Sequence, residues 1–162
     1  MYNEGVKQKN YLFIIWQHII GICILVLTVL FSWLFLAEKT SDRLQDQMAQ
    51  ARKIALSHSS IASIETESFF HGKEAFLSFI GKDQEGKELA VLVGQVDDAV
   101  YTYPLKEGVS SKEAAFVVKE KSQDAIDGVT FGRFKGKPIW EVKAGSSYYV
   151  VDFKTGKVIG VF

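Results

Sequence analysis

Few residues of this 162-residue chain are of types that do chemistry: three histidines, one cysteine, the run "SHSS" at 57–60, Asp97-Asp98, and "GRFKGKP" at 132–138. A zinc site draws several His, Cys or carboxylate ligands together, and His18, His58 and His71 each stand outside such a set at metal-ligand spacing. "SHSS" puts hydroxyls beside an imidazole, but a nucleophile, its base and the orienting group are assembled by a fold, not by adjacency. The run reads as a helix end. Asp97-Asp98 has the carboxylate pairing of an acid–base or cation site, yet it falls between strand-like segments, where aspartate bonds its own turn. In "GRFKGKP" the glycine spacing departs from a phosphate-binding loop, and Pro138 stands where the hydroxyl residue belongs. It reads as a hairpin. The expectation is a protein that is not an enzyme, with no catalytic residue, no metal ligand and no cofactor.

The elements around these residues begin with an apolar run. Residues 11–37, "YLFIIWQHIIGICILVLTVLFSWLFLA", are interrupted only by Gln17 and His18. As a helix, 19–37 rises about 28 Å at ~1.5 Å per residue, close to the hydrocarbon thickness of a bilayer. A cleaved signal peptide has a shorter apolar region ending in small residues, whereas this one ends "LFLAEK". Ile22 before Cys23, and the apolar residues after it, argue against a lipoprotein anchor. The segment is expected to be an uncleaved signal anchor with Trp16 and Trp33 near its interfaces. A cytoplasmic tail (1–10), a single membrane-spanning anchor (11–37) and an extracytoplasmic remainder follow. That remainder contains no cysteine, so it needs no disulfide.

Beyond the anchor the chain repeats itself. "FHGKEAFLSFIG" at 70–81 returns 64 residues later as "FKGKPIWEVKAG" at 134–145. Leu44, Met48, Ala51 and Ala55 recur at helical spacing before the first copy, with Thr40, Ser41 or Asp42 as caps if the helix starts there. Ser110 with Glu113 forms a capping-box pattern before the second. Strand-like segments run 64–70, 74–80, 88–95 and 100–103, then 129–135, 138–144, 147–152 and 158–162. His71-Gly72 and Lys135-Gly136 should form tight hairpins, with glycine taking the positive φ, and Asp127-Gly128 a turn. The fold class is therefore α+β, with two tandem modules at 38–109 and 110–162, each a helix on an antiparallel sheet. Modules this small bury too little surface alone, so each should shield the other.

The second copy, "PIWEVKAGSSYYVVDFKTGKVIGVF", resembles a PepSY module through Trp-Glu-Val, Tyr-Tyr-Val-Val-Asp and Thr-Gly-Lys-Val. The whole layout of tail, anchor and two modules is similar to the TseB family of Gram-positive bacteria. That resemblance implies tandem cystatin-like domains outside the membrane. It also implies a non-catalytic part in cell-wall elongation through a penicillin-binding protein. PepSY modules also resemble propeptide segments, which leaves inhibition or regulation of an exported protease as the alternative. The first copy departs from the pattern, with Phe76-Leu77-Ser78 in place of Trp-Glu-Val.

Charge and strand alternation narrow the partners. Residues 38–162 carry 17 basic and 18 acidic side chains, which gives nucleic-acid binding no support. No small-molecule substrate is indicated, and the bilayer is the one non-protein partner. Residues 38–109 have net charge −4 and 110–162 net +3, so the modules attract each other or the second faces an anionic wall polymer or lipid headgroup. Trp140, Val142 and Ala144 should pack on their helix while Ile139, Glu141 and Lys143 meet water. The matching helix-facing set in the first copy is Phe76, Ser78 and Ile80. That leaves Ala75, Leu77 and Phe79 as an apolar outer face, expected to meet the second module or a partner protein.

Overall fold

The computed structural model describes residues 4–72 and 74–162; the first three residues of the expected tail lie outside them. The chain divides into two compact units, Met1–Asp46 and Gln47–Phe162. In the first unit, Ile15–Leu36 is long and apolar enough to cross a membrane by length and composition, and none of it is buried by protein. The hydroxyls of Thr28 and Ser32 donate to the carbonyls of Ile24 and Thr28 at 3.0 and 2.8 Å. These polar groups are thus satisfied inside the helix, as a hydrocarbon environment demands. The helix itself, α1 (Glu4–His58), has no break at the candidate caps 40–42.

The second unit holds the end of α1 and two four-stranded antiparallel meanders. The first is β1 (Ile61–His71), β2 (Ala75–Asp83), β3 (Glu88–Gly94) and β4 (Val100–Pro104). Helix α2 (Ser111–Lys119) follows, and then β5 (Ile126–Phe134), β6 (Lys137–Ala144), β7 (Ser147–Asp152) and β8 (Val158–Val161). The capping box forms as expected: the Ser110 hydroxyl accepts from the Glu113 N–H at 3.2 Å, and the Glu113 carboxylate accepts from the Ser110 N–H at 2.7 Å. The Ser110 N–H and the Ser110 hydroxyl, which donates to the same carboxylate oxygen at 2.8 Å, hold the Glu113 carboxyl below its usual pKa. The expected turn at Asp127-Gly128 is instead an irregularity inside β5, where the pairing with β6 shifts register. Lys135 and Gly136 turn their hairpin with φ of 50° and 78°. Gly72, by contrast, is required for space, because a Cβ there would stand 2.4 Å from the Phe70 ring.

The expected faces of the first sheet are exchanged. Leu77 and Phe79, 3% and 0% exposed, share a core with Ala51 and Ala55 of α1 and with Val91 and Val93. They are neither a surface for another protein nor a contact with the second module, and Ala75 is half-buried at the start of their strand. Arg52 of α1 reaches Glu67 on the same face at 2.6 Å. Phe76, Leu92 and Ala90 face the other way and share the larger core with Phe131, Trp140 and Val142 of the second sheet and Ala114 and Val118 of α2. The modules therefore do bury each other, but through the face that was assigned to the helix. The physical reason is that β2 is apolar on both sides, so alternation alone cannot say which side the helix takes. In β6 the charges of Glu141 and Lys143 break that tie, and Trp140, Val142 and Ala144 do lie on the α2 side.

Candidate functional site

The catalytic candidates stay dispersed. Asp97 accepts the Ala99 N–H at 3.2 Å and Asp98 takes φ 52°, so the pair builds a turn. The Ser57 hydroxyl lies 2.7 Å from His58 Nδ1, and it also donates to the Lys53 carbonyl one turn back. This is ordinary bonding for serine in a helix's last turn. Among the described residues no group of three His, Cys, Asp or Glu side chains could hold a metal ion.

His71 is the exception, because the fold carries it to a site. The register of the second sheet sets rows of side chains on the face opposite α2. One row is Gly128, Lys143, Tyr148 and Phe162; the next is Thr130, Glu141, Val150 and Gly160. A third row, Gly132 with Ile139, is closed over by the first module, since a Cβ on Gly132 would meet the Phe70 ring at 2.3 Å. Ile139 is consequently buried, although alternation assigned it to water. What remains is an open groove of about 950 Å³ between the β1–β2 hairpin, with Phe69, Phe70 and His71, and the β7–β8 edge. Phe134 and Phe162 meet at its side with ring centroids 6.1 Å apart.

The groove's charges are unevenly served. Lys143 turns its ammonium toward the Tyr148 ring, 5.9 Å from the centroid, and Lys135 lies 5.3 Å from that of Phe134. Glu141 is half-buried on the floor and takes part in no hydrogen bond or ion pair of the described residues. Burial pushes its carboxyl up, and the charge of nearby His71 offsets this only in part. A raised carboxyl favours the folded state below the ordinary carboxylate pKa, and that contribution is lost as pH rises through the folded value. Glu141→Gln is therefore expected to gain thermal stability over wild type at neutral pH, with the gain shrinking toward zero in acid. A constant difference across a pH series of melting curves would show that the carboxyl is not strained by burial.

None of the lining residues was expected to form a site. A signal was nonetheless present in "GVTFG" at 128–132, where small residues alternate along one strand face and so leave depth above it.

The groove is open and largely apolar, with one half-buried carboxylate on its floor. Residues 50–94, from the end of α1 through β3, match the family described as the cell wall elongation regulator TseB-like domain. The solved structure of the YpmB protein from Bacillus subtilis aligns with a TM-score of 0.62 and 27% identity, over 70% of this chain and 94% of that one. A Clostridium difficile 630 chain described as a lipoprotein aligns with a TM-score of 0.38 and 13% identity, over 70% of this chain and 90% of its own. No curated protein matches the chain. The family match over residues 50–94 and the YpmB likeness, beside the anchor-length helix and the two meanders, make this chain similar to the TseB-like family of cell-wall elongation regulators.

Proposed function

We propose that the chain is a membrane-anchored, extracytoplasmic, non-catalytic regulator that acts on cell-wall elongation by binding a penicillin-binding protein. The observation that carries this reading is the family match over residues 50–94, the end of α1 and the first three strands. In this reading residues 1–10 are cytoplasmic, 11–37 anchor the chain, and 38–109 and 110–162 are two cystatin-like modules, the second of PepSY type. The apolar segment Ile15–Leu36 would keep the modules beside membrane-bound synthases. A partner already held in the same bilayer needs little affinity per contact, because confinement raises its effective concentration.

Affinity recovery of the tagged full-length chain from solubilised membranes tests this. A penicillin-binding protein is expected to co-purify in amounts that survive moderate salt. Recovery of exported peptidases in its place would favour the protease-regulator alternative.

A further inference from the structure

The outer face of the second sheet carries the strongest unassigned feature. We infer that the groove between the β1–β2 hairpin and the β7–β8 edge receives a segment of a partner polypeptide that presents one lysine or arginine among apolar side chains. The inference deepens the regulatory reading above and rests on its premise that the chain acts through a protein partner.

Three observations support a polypeptide of this chemistry. First, Glu141 sits half-buried on the floor without a hydrogen bond or ion pair among the described residues. Lys143 is turned to Tyr148 instead of to it. The charge of nearby His71 offsets the burial of this carboxylate only in part, and an incoming cation would relieve the rest. Second, the walls around Glu141 are Phe69, Phe134, Val150 and Phe162. A polyanionic wall polymer or lipid headgroup would be repelled by Glu141 and would leave those walls wet, whereas flanking apolar side chains cover them. The exposed lysines 135 and 143 on the rim suit acidic residues beside the central cation. Third, one side of the groove is a free sheet edge, since β8 ends the order β5-β6-β7-β8. Tyr148 and Phe162 exchange both backbone bonds at 2.9 Å. By the alternation of an antiparallel ladder, Val161 then turns its N–H and C=O outward, and at Ile159 the pairing with β7 shifts register. Only a polypeptide can use that edge by adding a strand.

Photo-crosslinking in cells tests the assignment with the full-length chain. A benzoylphenylalanine is placed in turn at position 148, at 159 and, on the exposed surface of α2, at 116. One identified exported or membrane protein is expected to be captured at 148 and 159 and not at 116. Glu141→Lys should lower that capture at least tenfold. Lys143→Glu, at an exposed side chain on which folding does not depend, should lower it by a smaller factor. If the captured protein is a penicillin-binding protein, both readings stand; if it is another protein, the groove stands and the synthase reading falls. Capture of lipid or wall polymer, equal capture at 116, no capture at 148 and 159, or insensitivity to both charge reversals would overturn the groove.

Discussion

Phe79→Lys in the full-length chain is expected to lower the free energy of unfolding by about 4 kcal/mol, much of the stability of an ordinary domain. Phe79 is 0% exposed and lies in the core shared by β2, β3 and the end of α1. The substitution removes an aromatic side chain from that core and puts an ammonium in it, while the cross-strand carboxylate, Glu67, is already held by Arg52. Leu77→Glu, 3% exposed in the same core, should act in the same direction. The loss is to be read from denaturant or thermal unfolding of the detergent-solubilised protein. If the face were a docking surface, both variants would fold as well as wild type and lose only a partner. Unchanged unfolding would therefore refute the packing of α1 on this face.

The second large effect is at the junction of the modules. Phe70 is 2% exposed, and its ring presses on Gly132, where a Cβ would come within 2.3 Å. Phe70→Ala is expected to cost about 3–5 kcal/mol through lost burial and the cavity left behind. Gly132→Ala alone should cost roughly 1–3 kcal/mol, because the ring must move and the packing around it resists. The two costs should not add. With the ring gone, the new methyl group has room, so the double variant should be more stable than the sum of the singles by about 1 kcal/mol or more. Additive costs would mean that Phe70 and Gly132 are not in contact between the sheets. Arg133 joins the modules beside them, its guanidinium 4.1 Å from the Tyr101 ring centroid and 3.5 Å from Glu74.

Much of the architecture was legible in the chain because it rests on local chemistry. Glycine-marked hairpins, a capping box and strand-length apolar alternation set eight strands and α2 close to their observed places. The repeat of 70–81 at 134–145 announced two equivalent meanders, and the long apolar run announced an anchor-length helix. Each of these signals acts over a few residues, so no knowledge of distant partners is needed.

What the tertiary structure decided was which surfaces meet. β2 is apolar on both faces, and the sequence holds no tie-breaker between Phe76 with Ile80 and Leu77 with Phe79. The choice was made by α1, whose small side chains Ala51 and Ala55, flanked by Met48 and Ile54, admit Phe79 and Leu77 beneath it, while Phe76 goes to the aromatic core of the second module. The groove depended on the same long-range geometry. His71 and Glu141 are 70 positions apart in the chain. They become neighbours only because Phe70 folds over Gly132 and carries the hairpin onto the second sheet. Periodicity tells which residues share a face of their own strand; only packing between modules tells what that face will touch.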